Sequence, residues 1–103
     1  MQISADGRDI VHSHGGQPGS DTGQYEWPRH LAVDDNEFVF VADVINRRVT
    51  LLSPTLEYVR LVVSRDDQLK WEPWKLCLDT ERRLLYVADS EWLTAGRVVV
   101  ISV

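Results

Sequence analysis

Apolar and polar positions in this chain alternate over short distances and change phase at turn residues. Over 37–42, Phe38, Phe40 and Ala42 fall on one side of an extended backbone, and Val39 and Val41 on the other, because successive side chains of a strand point to opposite faces. Over 84–88, Leu84, Tyr86 and Ala88 oppose Leu85 and Val87 in the same way. Segments 30–33, 48–53 and 57–64 are rich in Val, Leu and Tyr, residues that suit a pleated, half-buried backbone. Asp34-Asp35-Asn36, Ile45-Asn46-Arg47 and Ser53-Pro54-Thr55 separate these segments with turn chemistry. The pattern predicts four short strands joined by tight turns into one antiparallel meander over 30–64. It predicts three more strands at 74–78, 84–88 and 97–103, and two at 2–4 and 9–13 around the Ala5-Asp6-Gly7 turn. The expected class is all-β. Apolar residues on both faces of 37–42 and 84–88 imply sheets that are covered on both sides.

The meander is written twice. Trp27-Pro28-Arg29-His30-Leu31-Ala32-Val33-Asp34 leads to Phe40-Val41-Ala42-Asp43 and then Arg48-Val49. Pro73-Trp74-Lys75-Leu76-Cys77-Leu78-Asp79 leads to Tyr86-Val87-Ala88-Asp89 and then Arg97-Val98. Pro28 and Pro73 are 45 residues apart, as are Asp34 and Asp79, while Ser4, Ser53 and Ser102 recur every 49. A period in the forties with strand content is the mark of a blade array, in which each sheet is sandwiched between two neighbours. The expected organisation is strands three and four of a preceding blade plus a loop over 1–22, one blade over 23–67, and a second over 68–103 that lacks its last strand. Two blades alone would leave large apolar faces bare. The remaining blades are therefore expected from a longer parent chain or from further copies of this one.

Gly23-Gln24-Tyr25, Pro28, Ala32-Val33-Asp34, Val41-Ala42-Asp43, Asn46 and Arg47-Arg48-Val49 together resemble an NHL repeat. That family's pattern runs roughly Gly-Gln-Phe, Pro, Val-Ala-Val-Asp, Val-Ala-Asp, and Asn-x-Arg followed by Ile or Val. The second copy keeps Pro73, Leu78-Asp79, Val87-Ala88-Asp89 and Arg97-Val98, but Gln68-Leu69-Lys70 replaces the Gly-Gln-aromatic and Ala95-Gly96 replaces the Asn. The resemblance implies a partial β-propeller of about two four-stranded antiparallel NHL-type blades, from a six-bladed ring. It is similar to the C-terminal NHL region of tripartite-motif ubiquitin ligases. There the propeller selects a protein substrate or an RNA, and a RING domain, absent from these residues, carries the ligase chemistry.

Several residues of the pattern have structural roles that follow from their chemistry. Pro28 and Pro73 set φ at the start of a strand, where a missing N–H is harmless. Asp34 and Asp79 open the first turn of each meander, where a short carboxylate accepts backbone N–H groups. Asp43 and Arg48 are placed to pair across a short hairpin, and Asp89 and Arg97 to repeat the pairing across a loop three residues longer.

Composition narrows the function. With 16 acidic and 11 basic residues in 103, the net charge is −5, which disfavours nonspecific binding to phosphates. A single cysteine, Cys77, rules out an intramolecular disulfide and reads as a small core residue between two leucines. The N-terminal stretch has no apolar core of a signal peptide, and the longest aliphatic run, 98–101, is too short to span a bilayer. A cytoplasmic, non-membrane setting is the expectation.

No catalytic frame emerges. Ser13, Ser20 and Ser64 lack a Gly-x-Ser-x-Gly context, and the Gly-rich 14–19 segment does not follow a strand and open a helix. His12 and His14 fall on one face of an outermost strand, but His30 lies on an innermost strand and is expected far from that pair, so no metal or cofactor is expected. Recognition is the better reading. The connections at one end of the meanders collect Trp27, Arg29, Arg47, Trp71, Trp74 and Lys75, together with Trp92 in the longer loop of the second copy. Trp and Arg are enriched at binding hot spots. The binding residues expected are Arg29, Arg47, Trp74, Lys75 and Trp92, and the partner a protein such as a ubiquitination substrate. RNA, contacted through a local basic patch, is the alternative partner. A metal-dependent lyase- or lactonase-like propeller is the alternative class.

Overall fold

A computed structural model describes residues 2–3, 10–12, 19, 24–64, 69, 71–91 and 95–103. Among these, every regular element is a strand. A two-stranded pair is formed by β1 (Gln2–Ile3) and β2 (Ile10–His12). A four-stranded sheet follows in chain order: β3 (Pro28–Val33), β4 (Val39–Asp43), β5 (Arg48–Leu52) and β6 (Tyr58–Ser64). A three-stranded sheet is made by β7 (Glu72–Asp79), β8 (Leu84–Glu91) and β9 (Ala95–Ser102). All neighbouring strands are antiparallel. No helix among the described residues is long and apolar enough to cross a membrane.

The tight turns share one device that glycine does not supply. Asp34, Val44 and Ser53 each accept at their carbonyl from the N–H three residues on, at 3.1, 3.1 and 2.8 Å. The donors Glu37, Arg47 and Leu56 sit at φ 68, 51 and 63°. A tight turn closed by one left-handed residue matches the right-handed twist of the flanking strands. Arg83, at φ 57°, takes this place between β7 and β8. Non-glycine residues carry a modest strain in that region, here held by the ladders on either side.

The two larger sheets pack face to face. Phe40, Ala42, Val49 and Val63 of the first meet Leu76, Leu85 and Val87 of the second, with Leu69 from the connection, in one buried cluster. Ala32, Leu51, Leu78, Ile101 and Val103 border it. The other face of the first sheet holds a smaller cluster of Val39, Val41, Leu52 and Leu56, with Tyr25 laid against it. Covering on both sides, as expected from the sequence, is therefore only partial: Leu31 and Val33 are exposed on the first sheet, and Val98 and Val100 on the second.

Cys77 corrects the reading from sequence. It is exposed, because β7 turns Leu76 and Leu78 inward and period-2 alternation sends Cys77 to the open side. Two flanking leucines marked a strand, but not which of its faces was covered.

Candidate functional site

Each larger sheet begins with the same irregularity. Pro28 pairs with Asp43 and His30 with Ala42, leaving Arg29 as the extra residue of a bulge. Pro73 pairs with Asp89 and Lys75 with Ala88, leaving Trp74 as its counterpart. Proline cannot donate to the ladder, so the register slips immediately after it, and a bulge re-aims the extra side chain. The two bulged residues meet. Arg29 Nη1 donates to the Trp74 carbonyl at 2.9 Å, and its guanidinium carbon lies 4.6 Å from the centre of the Trp74 ring. Trp27, 47% exposed and at φ 80°, packs edge-on against Trp74 with ring centres 5.4 Å apart. Trp74 is itself held by a bond from Nε1 to the Ser90 carbonyl at 3.3 Å.

Buried corners support this rim. Asp43 is fully buried. Its Oδ1 accepts from the Glu26 N–H at 2.9 Å, and its Oδ2 accepts from Asn46 Nδ2 at 2.8 Å and Arg48 Nε at 3.3 Å. Arg48 also donates to the Gln24 carbonyl, and its guanidinium lies 5.9 Å from the Tyr25 ring centre. Asn46 reaches on to the Gly19 carbonyl at 2.6 Å. Gly19 stands at φ 151°, where a β-carbon would collide with the Gln24 amide.

The second corner repeats the first with different residues. Asp89 accepts from Arg97 Nε at 3.2 Å and from the Trp71 N–H at 3.3 Å. Arg97 lies 5.9 Å from the Trp71 ring centre, the distance seen for Arg48 and Tyr25. The aromatic that disappears from the Gly-Gln-aromatic position is thus supplied by Trp71, which lies against Arg97 as Tyr25 lies against Arg48. Trp71 was legible only as a rim residue, because the longer loop before Arg97 hides its spacing. The first turns also carry their aspartates. Asp34 Oδ1 accepts from the Asn36 and Phe38 N–H groups at 2.8 and 2.9 Å, and Asp79 Oδ1 from the Arg82 N–H at 3.1 Å.

The remaining rim residues are spread more widely. Arg47 is the left-handed residue of the β4–β5 turn. This turn is tied to the start of β3 by bonds from the Val44 and Ile45 N–H groups to the Trp27 and Glu26 carbonyls, both at 3.1 Å. Lys75 pairs with Ala88 on the open face of the second sheet, away from the Arg29–Trp74 contact. Trp92 lies outside the described residues, as do Lys70, His14 and the side chain of His12.

His30, weighed from sequence only as a metal ligand, has a different use. Its Nδ1 accepts from the Leu76 N–H at 3.1 Å. With Arg29 on the Trp74 carbonyl, β3 thereby satisfies two backbone groups along the outer edge of β7. Among the described residues no three His, Cys, Asp or Glu side chains gather into a metal-binding group.

Burial pushes the Tyr25 hydroxyl above its ordinary value of 10.0, against the pull of its Thr50 hydrogen bond and the nearby Arg48. The Tyr25–Thr50 oxygens are 3.3 Å apart. The folded chain thus favours neutral Tyr25 more than the unfolded chain does. Its contribution is complete below pH 10 and is lost as pH rises through the raised folded value. Tyr25→Phe is expected to flatten the alkaline fall in stability, read as urea midpoints between pH 9 and 11. An unchanged slope would contradict this assignment.

No protein-family model matches this chain, and no curated protein matches it.

Proposed function

We propose that this chain is a run of two successive NHL-type propeller blades with no catalytic role, and that it recognises a protein partner through the rim at Trp27, Arg29 and Trp74. The observation that carries this reading is the contact of the two bulged residues. It holds an arginine and two tryptophans at a sheet–sheet junction while leaving Arg29 and Trp27 exposed. Such a group suits a hot spot, because large rigid side chains are pre-ordered and bind with little further loss of entropy. Two sheets with the same strand order, the same bulge and the same Asp–Arg–aromatic corner support the blade reading. Substrate selection within a tripartite-motif-like ubiquitin ligase is the setting proposed, on the strength of the repeat pattern. The acidic balance, −5 overall, favours a protein over RNA.

Arg29→Ala and Trp27→Ala are expected to weaken binding of a captured protein partner about thirty-fold each, a hot-spot loss of about 2 kcal/mol. Arg82→Ala, at the far end of the sheets, is expected to leave binding unchanged. Titrations against the partner, with urea midpoints to confirm folding, read this out. Equal affinity for all variants would remove the rim from the interface. Steeply salt-dependent binding of single-stranded RNA, lost in Arg29→Ala, would favour RNA as the partner instead.

A further inference from the structure

The two sheets meet through faces that are not equivalent, and each keeps an outer face, that of the second sheet open and that of the first open along β3 and overlaid by Tyr25 at its middle strands. Along β3 and β7, counterparts are 45 residues apart, as Pro28 and Pro73 show. Along β4 and β8 they are 46 apart, as Asp43 and Asp89 show, and along β5 and β9 they are 49 apart, as Arg48 and Arg97 show. The buried face of the first sheet presents Ala32, Phe40, Ala42, Val49 and Leu51. Their counterparts are Cys77, Tyr86, Ala88, Val98 and Val100, which share the outer face of the second sheet. Val98 and Val100 are 62% and 49% exposed there.

The converse holds as well. The buried face of the second sheet presents Leu76, Leu78, Leu85, Val87 and Ile101. Their counterparts Leu31, Val33, Val39, Val41 and Leu52 share the outer face of the first sheet; Leu31 and Val33 are 52% and 56% exposed, whereas Val39, Val41 and Leu52 are buried with Leu56 and Tyr25. Each outer face is therefore a second version of one half of the contact the chain makes internally.

We propose that a second copy of this chain docks head to tail, seating the outer face of its first sheet on the outer face of the second sheet. The inference rests on reading the two sheets as successive copies of one unit. Both halves of the contact are present on a single chain, so the occupant is the chain itself. The contact continues the sheet–sheet interface already formed within it. Tyr86 stands where Phe40 stands inside. A concavity lined by Tyr25, Leu31, Val39, Val41 and Leu52 offers Tyr86 the counterparts of the side chains clustered with Phe40. Because the two faces differ, the contact is heterologous and builds a ring if the rotation closes, or a filament if it does not. The edge bonds from Arg29 and His30 have no like-for-like counterparts, since Trp74 and Lys75 occupy those positions. The association is accordingly weaker than the internal contact and depends on concentration.

Sedimentation of the full chain across a concentration range tests this, with Leu31→Glu and Val100→Glu breaking one outer face each. Both sites are exposed, and circular dichroism with urea midpoints verifies that the variants fold. Wild-type mass is expected to rise with concentration above that of one chain. Each variant alone should stay limited to one chain, and an equimolar mixture of the two should form a one-to-one pair, since each retains the face the other lacks. Wild type that stays a single chain, a mixture that does not pair, or a variant that self-associates as strongly as wild type would each overturn the proposal. Failure of docking leaves the blade reading intact if the two sheets still unfold as one unit. Independent unfolding of the two sheets would count against the blade reading itself.

Discussion

Replacing Asp43 with alanine is expected to remove most of the margin by which this chain stays folded. The Asp43 carboxylate is fully buried and receives the Glu26 N–H, the Asn46 amide and Arg48 Nε. The Arg48 side chain is 13% exposed, so deleting its carboxylate leaves a largely desolvated guanidinium facing two further unpaired donors. Removing one partner of a buried pair costs about 3–5 kcal/mol, against a total stability of about 5–15 kcal/mol for an ordinary domain. Asp89→Ala is expected to cost less. Its partner Arg97 is 42% exposed, and water replaces part of what is lost. Urea unfolding of the two variants beside wild type measures both effects. Equal losses at the two corners would show that burial of the arginine does not set the energetics.

Phe40→Ala is the second large effect. Phe40 is 3% exposed and belongs to the cluster shared by both sheets, bordered by Leu78 and Val103 of the second. Truncation removes the apolar area that a phenyl ring buries and leaves a void between two ladders that are unable to close over it. Losses of about 3–5 kcal/mol are typical of such a change. Since this cluster is what joins the sheets, the transition is expected to broaden as well as move, the sheets ceasing to unfold together. Leu31→Ala, on the open face of the neighbouring strand β3, is expected to change stability by about 0.5 kcal/mol or less. Circular dichroism and tryptophan fluorescence followed in one urea titration distinguish these outcomes. Coincident, unshifted transitions for Phe40→Ala would contradict a single shared core.

The pattern of residues carried the strands and their order well. Alternation at 37–42 and 84–88 located β4 and β8, and the turns at Asp34, Asn46 and Pro54 separated the strands on either side. These features are local: a strand's period and a turn's chemistry are written in neighbouring residues. The candidate site was less legible. Arg29 and Trp74 stand out in the sequence by residue type alone, but their contact arises because each is the extra residue of a bulge that follows a proline, and the bulges face one another only when the sheets stack. His30 was read by its capacity to bind metal, whereas its use depends on an unpaired edge of β7 that exists only in three dimensions. Lys75 neighbours Trp74 in sequence, but strand alternation directs it to the opposite face.

The repeat at 45–49 residues and the all-β character follow from the amino-acid order alone, because local periodicity needs no partner to be read. Which face of each sheet is buried is a different matter. Both faces of β4 and β8 are apolar, so hydrophobicity does not choose between them. The choice is made when the first sheet turns its Phe40 face to the second, burying Leu76 and exposing Cys77 on the same strand.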